Sequence, residues 1–245
     1  MFFTDRDSIN EEEKKLIITE DAYHIARSLR MAVGDTVSVS DKCGTVYRCA
    51  LSFIRDSVCE CEILEKEAAK SEPAAKITLY MAYPKGDKLE YIIQKAVELG
   101  VSRIVPFESE RCIKRPREDK LEKQNDRLSK IALEAAKQCG RAIIPTVSLP
   151  LSYDKMLSET KKAELALFCY EGEGAVSLKK ALRSQASFGT VSVTVGSEGG
   201  FSEKEFIKAK EAGLVPVNLG PRILRCETAP LYALTALSYE MELDG

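Results

Sequence analysis

Histidine occurs once, at His24, and none of the eight cysteines lies in a Cys-x-x-Cys pair. Zinc sites draw on clustered cysteine and histidine, so neither zinc nor another bound metal is expected. Cys59 and Cys61 fall on one face of an alternating pattern, and most other cysteines sit in apolar or helical contexts. That reads as reduced thiols in a cytoplasmic protein. No apolar run approaches the roughly 18 residues of a membrane span. The start, Met1-Phe2-Phe3-Thr4-Asp5-Arg6-Asp7, has neither the basic region nor the apolar core of a signal peptide. Excess positive charge is missing too: Lys plus Arg total 36 against 38 Asp plus Glu, a net charge of −2. Proteins that coat nucleic acid without specificity are usually strongly basic, so RNA binding here must rest on local patches. Internal repeats and low-complexity tracts are absent.

The chain has 245 residues, 44% hydrophobic and 30% charged, which suits one large domain or a small one plus a medium one. Residues 1–72 read as a β-rich domain. Leu16-Ile17-Ile18 is a short strand, and Glu20 to Met31 has helical spacing, with Ala22, Ile25, Ala26 and Leu29 on one side. Val37 to Ser40, Thr45 to Phe53 and Ser57 to Leu64 follow as strands, with turns at Gly34-Asp35 and Asp41 to Gly44. Short strands at such intervals suggest a small barrel. The polar run Glu65 to Pro73 is the expected boundary to a second domain, 73–245.

In that second domain the pattern alternates. Strands are expected at Ile77 to Ala82, Arg103 to Phe107, Leu165 to Tyr170, Thr190 to Val195 and Leu214 to Leu219. Helices are expected at Asp87 to Leu99, Asp126 to Cys139 and about Ala229 to Met241, while Leu149 to Ala163 reads only as a connection. Such alternation implies a mostly parallel sheet covered on both faces, with ligands at the carboxyl ends of its strands. Two glycine-bearing stretches fall there. Val195-Gly196-Ser197-Glu198-Gly199-Gly200-Phe201 precedes a helix signalled by a Ser202/Glu205 capping box and a Phe201/Phe206 staple. Leu219-Gly220-Pro221-Arg222-Ile223-Leu224-Arg225-Cys226-Glu227-Thr228-Ala229 precedes the last helix. Gly196, Gly199 and Gly200 leave backbone N–H groups uncovered and permit positive φ, which suits a turn wrapped around a ligand. The spacing matches neither the dinucleotide fingerprint nor the P-loop.

Together the two stretches resemble the G-P-E-G-G-[FL]-[ST] and L-G-x-R-[IVL]-L-R-x-E-T-A signatures of the bacterial 16S rRNA uridine N3-methyltransferases, the small-subunit methyltransferase E family. The resemblance extends along the chain through Asp21-Ala22-Tyr23-His24-Ile25-Ala26-Arg27-Ser28-Leu29-Arg30-Met31, Lys85-Gly86-Asp87-Lys88-Leu89-Glu90, Gln94 to Val101, Ser109-Glu110-Arg111-Cys112 and Gln138-Cys139-Gly140-Arg141. Two residues depart from the pattern: Ser197 stands for proline and Cys226 for threonine. The resemblance implies an α/β protein with an N-terminal PUA-like β-barrel and a C-terminal α/β SPOUT domain carrying a trefoil knot. It implies S-adenosyl-L-methionine as cofactor, held by Tyr170, Gly196, Ser197, Glu198, Gly199, Gly200, Leu219, Gly220, Ile223, Leu224, Arg225 and Thr228. It also implies a homodimer acting on 16S rRNA within the assembled 30S subunit. The alternatives are a non-catalytic ribosome-assembly RNA-binding protein and a SPOUT methyltransferase with another RNA target.

Methylation at N3 of uridine removes a proton and builds negative charge on the base, which a nearby cation stabilises. Arg225 is the first candidate and Arg222 the second, although either could be an ordinary salt-bridging arginine. Glu198 or Glu227 could accept the proton or simply cap the helix that follows. Arg111, Lys114, Arg115 and Arg117 form a basic cluster that Lys85, Lys88, Arg103, Lys137 and Arg141 could extend, and Arg27 with Arg30 suggests a second patch. Such groups would give salt-dependent RNA affinity. In the last helix, Leu231, Leu234, Leu237 and Met241 recur at helical spacing and are expected to help form the dimer interface.

Overall fold

The computed structural model describes residues 1–113, 115, 118–184 and 187–242. The chain divides into two compact units, Met1–Glu72 with Ala136–Ile144, and Pro73–Ala135 with Pro145–Gly245. The first unit is built on strands β1 (Phe2–Phe3), β2 (Ile9–Asn10), β3 (Lys15–Ile18), β4 (Thr36–Ser40), β5 (Thr45–Arg55) and β6 (Val58–Ala68). They form one curled sheet in the order β1-β4-β5-β6-β3-β2, antiparallel except for β1 on β4. Register shifts at Arg48/Cys49 and Leu51/Phe53 bend the long β5–β6 ribbon. Alternation sends Leu16, Ile18, Val37, Val39, Tyr47, Leu51, Cys59 and Cys61 into the core. Burial pushes the thiols of Cys49 and Cys61 up to about 12, which leaves them protonated and inert.

Three features of this unit differ from the expectation. The helical pattern at Glu20 to Met31 yields only a π-type turn, His24–Ser28. There Leu29 N–H donates to the His24 carbonyl at 2.9 Å, and Arg30 takes φ +52°, which ends the turn. Ala22 and Ile25 are buried as the spacing implied, but Leu29 is exposed. The polar run from Glu65 is strand as far as Ala68, because it completes the ladder to Thr45–Arg48. Arg141 is buried rather than displayed: its guanidinium reaches Glu72 Oε2 at 2.7 Å, and Glu72 Oε1 accepts the N–H groups of Ala142 and Ile143.

The second unit contains β7 (Lys76–Ala82), α1 (Lys88–Glu98), β8 (Arg103–Glu108), α2 (Leu121–Cys139, its last turn in the first unit), β9 (Thr146–Val147) and β10 (Leu151–Ser152). Then come α3 (Tyr153–Thr160), β11 (Leu165–Cys169), β12 (Val176–Ser177), α4 (Leu178–Leu182), β13 (Thr190–Val195), α5 (Glu203–Glu211), β14 (Val215–Asn218) and α6 (Thr228–Glu242). All pairings are parallel, in the order β10-β8-β7-β13-β11-β14-β12, with β9 beside β8. Central strands such as β7 and β13 are buried on both faces, with small Ser192 and Thr194 set between the valines of β13. Helix α1 buries Leu89, Ile92, Ile93, Ala96 and Val97 and stops before Gly100 at φ +86°.

The Leu149 to Ala163 region is more than a connection. Leu151 and Ser152 pair with Phe107 and Glu108, and α3 buries Met156, Leu157 and Thr160. Eight helical residues with so few apolar anchors are too short to show a period. In α6, Ala233, Leu234 and Leu237 are fully buried, and the helix packs on α1, α4 and β13. The stripe expected at a dimer interface is thus mostly consumed within the unit. Leu231 and Met241 remain half-buried, while Tyr232 and Tyr239 are exposed.

Candidate active site

Strands β13, β11 and β14 are neighbours in the sheet, so the loops leaving their carboxyl ends meet. They enclose a cavity of about 930 Å³ with walls from Cys169 to Glu173, Val195 to Phe201 and Asn218 to Cys226. That volume lies within the range of about 300–1,000 Å³ typical of small-molecule sites. Each wall has a local cause. After β13, Gly200 N–H donates to the Ser197 carbonyl at 2.9 Å and Gly200 takes φ +62°, closing a tight turn. At Gly196 a Cβ would come 3.1 Å from Phe201 and 3.2 Å from the Gly200 backbone, so only glycine fits without displacement. Of the three glycines here, Gly200 alone uses positive φ. At Gly199 the constraint is close approach, since a Cβ would sit 2.9 Å from Arg111 Cβ.

The capping box closes α5 as the sequence implied: Ser202 Oγ accepts from Glu205 N–H at 3.3 Å, and Glu205 Oε2 accepts from Ser202 N–H at 2.9 Å. The two phenylalanines beside it take separate partners. Phe201 packs on Phe168 with ring centroids 4.2 Å apart, and Phe206 stacks on Tyr170 at 4.2 Å, adding an aromatic surface to the cavity. After β14, Gly220 turns the chain at φ +105°. The following loop ends where the Arg225 carbonyl accepts the N–H groups of Thr228 and Ala229, the start of α6.

Charge collects at one side of the cavity. Lys88 Nζ lies 3.0 Å from Glu198 Oε1 and 3.1 Å from Glu227 Oε2, with Cys226 Sγ at 3.7 Å. Glu198 also accepts the backbone N–H of Lys85. Partial burial opposes ionisation of both carboxylates. Hydrogen bonds from their own backbone N–H groups and from Lys88 outweigh it and hold both below the usual carboxylate range. Hydrogen bonds from Lys88 to Glu198 and Glu227 raise its own pKa. Burial pushes the Cys226 thiol up to about 12, and its hydrogen bond to Glu227 adds to the effect. On another wall, Arg111 Nη1 donates to the Gly199 carbonyl at 3.0 Å. The neighbouring Glu110 carboxylate accepts from Ser202 Oγ at 2.6 Å.

A family model described as an RNA methyltransferase domain matches residues 70–238. A ribosomal RNA small subunit methyltransferase E of Bacillus subtilis is 35% identical over 242 residues, 97% of this chain and 94% of the relative. This chain belongs to the ribosomal RNA small subunit methyltransferase E family. Among solved structures, the small subunit methyltransferase E of Neisseria gonorrhoeae bound to S-adenosyl methionine superposes with TM-score 0.83 at 30% identity, covering 97% of this chain and 95% of that one. A putative methyltransferase of Legionella pneumophila, in complex with the bound cofactor SAM, gives TM-score 0.83 at 27% identity over 97% and 96%.

The fold gathers most of the residues singled out from the two signatures. Tyr170, Gly196, Ser197, Glu198, Gly200, Leu219, Gly220, Ile223, Leu224 and Arg225 line the cavity, as does Arg222. Gly199 backs the turn against Arg111, and Thr228 is exposed at the head of α6. Lys88 and Arg111, expected to meet RNA, line the cavity. Lys85 and Arg115 are exposed in the same unit, and Lys114 and Arg117 lie outside the described residues. Arg27 and Arg30 are exposed in the first unit, Arg27 bidentate to Asp56 at 2.8 Å. Sequence reasoning missed Phe206 as a wall, having read it as a staple; the family resemblance implied that the loop after Tyr170 encloses the cofactor without singling out Glu171 and Glu173, which line the cavity there.

Proposed function

We propose that this protein transfers a methyl group from S-adenosyl-L-methionine to N3 of a specific uridine in 16S rRNA, with the assembled 30S subunit as substrate. The observation that carries the reading is the cavity bounded by both signature turns within the segment matched by the RNA methyltransferase model. Its size, its glycine-tight turns and the Tyr170–Phe206 stack fit a ligand with a flat base and a polar tail. Tyr170, Gly196, Ser197, Glu198, Gly200, Leu219, Gly220, Ile223, Leu224 and Arg225 would hold it, with Gly199 and Thr228 shaping the turns from behind. When bound, the cofactor supplies an electrophilic methyl group.

The chain's own residues supply position and charge. Arg225, with Arg222 beside it, is exposed at the cavity and free to donate to the uracil oxygens as negative charge builds there. Glu198 is a poor proton acceptor, because its oxygens already accept from Lys88 and Lys85 and its pKa is depressed. Anchoring is its better role. A base edge can be reached only when the nucleotide is unpaired or flipped out, which suits a structured ribosomal site. Arg27, Arg30, Lys85, Arg111, Lys114 and Arg115 remain the candidate phosphate contacts, while Lys88, held between two carboxylates, and Arg141, buried on Glu72, leave that set. Residues 1–72, which carry the curled sheet, are read as the PUA-like RNA-binding domain and 73–245 as a knotted SPOUT domain. A homodimer fits the exposed Ile223, Tyr232 and Tyr239. Transfer of labelled methyl from S-adenosylmethionine to 30S subunits, naked 16S rRNA and 50S subunits tests the proposal. Label confined to 30S is expected, and none in any of the three would overturn it.

A further inference from the structure

We propose that Lys88 is a positioning residue that latches the two cofactor turns together, holding Glu198 of one and Glu227 of the other on a single ammonium. The inference rests on the reading of the cavity as the S-adenosylmethionine site. Three segments distant in sequence converge here: the entry to α1, the turn after β13 and the turn before α6. Lys88 opens α1, and Leu89, Ile92 and Ile93 root that helix in the core, so the ammonium sits on a rigid base. Its Nζ lies within 3.1 Å of an oxygen from each carboxylate. The Lys85 backbone N–H donates to Glu198 and fixes the first carboxylate to the same entry segment. Lys88, Glu198 and Cys226 all line the cavity, so the bridge between the turns forms part of its wall.

The charges explain why one cation matters. Two carboxylates directed at one point repel one another unless a positive group stands between them. The groups facing Lys88 are Glu198, Glu227 and the thiol of Cys226, which burial keeps protonated. Arg111, Arg222 and Arg225 line the cavity on neighbouring loops. The sign of the pH dependence follows. Both carboxylates have depressed pKa values and Lys88 a raised one, so the triad stays fully charged from above the carboxylate range to the lysine range. Without Lys88, repulsion would persist at neutral pH and fade as falling pH protonates one carboxylate.

The test is calorimetric affinity for S-adenosylmethionine at about pH 7 and about pH 5.5, values that bracket the onset of protonation of a carboxylate facing another. The proteins are wild type, Lys88→Met, Lys88→Arg and Lys88→Met combined with Glu227→Gln. Lys88→Met is expected to weaken binding about tenfold at the higher pH, the usual scale of a coupling between sites. The deficit should shrink at the lower pH. Lys88→Arg, which can still bridge two carboxylates, should recover most of the affinity, and the double variant, which removes the repulsion without restoring the bridge, should recover part of it. If Lys88→Met fails to fold, Lys88→Arg and Glu227→Gln alone carry the test, with near-normal and weakened binding expected respectively. Wild-type affinity in folded Lys88→Met, or a deficit that neither pH nor Glu227→Gln relieves, overturns the latch while leaving the cofactor site standing. Failure of the wild type to bind S-adenosylmethionine brings down the cofactor reading and the latch together.

Discussion

Replacing Gly199 by alanine tests the cavity through a single methyl group. The added Cβ would lie 2.9 Å from Arg111 Cβ and 3.3 Å from the Arg111 carbonyl oxygen. Neither is the free end of a flexible chain, so the loop after β8 or the signature turn must move by several tenths of an ångström. The loop is not free to give way. Arg111 Nη1 is bonded to the Gly199 carbonyl, Ser197 Oγ donates to the Arg111 carbonyl at 3.4 Å, and Glu110 N–H donates to Glu205 Oε1 at 2.8 Å. Overpacking of this kind costs about 1–3 kcal/mol. If the strain is relieved by opening the turn, affinity for S-adenosylmethionine falls about 5- to 150-fold. Gly213→Ala is the control. That glycine, after α5, takes φ +88° in open space, so alanine there should cost about 1–2 kcal/mol of stability through backbone strain and leave affinity unchanged. Calorimetry with a thermal melt on each variant separates the two. A Gly199→Ala protein with wild-type melting and wild-type affinity would refute the close-approach argument.

Arg225→Ala is expected to lower the single-turnover methylation rate about 100- to 1,000-fold with little change in RNA affinity, because a donor aimed at developing charge acts on the transition state. An unchanged rate with weaker RNA binding would move Arg225 into the binding patch. Arg115→Ala should reduce the salt slope of RNA binding by about 0.7 and leave S-adenosylmethionine affinity alone. Arg111→Ala should disturb both, since its guanidinium holds the Gly199 carbonyl; filter binding at several salt concentrations and calorimetry tell the two arginines apart. Arg141→Ala removes the buried guanidinium from the half-buried Glu72 carboxylate and should cost up to about 3 kcal/mol of stability in denaturant unfolding, with no specific change in salt slope.

The parts of the fold that sequence reading recovers are those with local causes. Ser202 and Glu205 cap α5 through bonds spanning three residues, and β13 has the bounds its apolar run predicts. The cavity's place was legible because both signature turns follow strands, and parallel topology brings strand ends together. Residues that depend on distant partners were not legible. Arg141 looks like a surface cation until Glu72, 69 residues earlier, closes over it. Lys88 looks like a phosphate contact, and only the fold brings Glu198 and Glu227 to it. Glycine is ambiguous for a related reason: sequence cannot separate a residue needed for positive φ, as at Gly200, from one needed for close approach, as at Gly199. The stripe of α6 misled for want of a partner, since spacing shows that Leu234 and Leu237 share a face but not whether the chain's own sheet already covers it.

The central claim is that the cavity serves methylation of a uracil ring nitrogen in 16S rRNA. Mass mapping of nucleosides from 30S subunits, after incubation with the protein and isotopically labelled S-adenosylmethionine, tests it most directly. The account predicts one labelled nucleoside, 3-methyluridine, from one oligonucleotide of 16S rRNA, and none with the Arg225→Ala protein within a single turnover time. Label on a ribose hydroxyl or on a different base, or none with the wild-type protein, would contradict it.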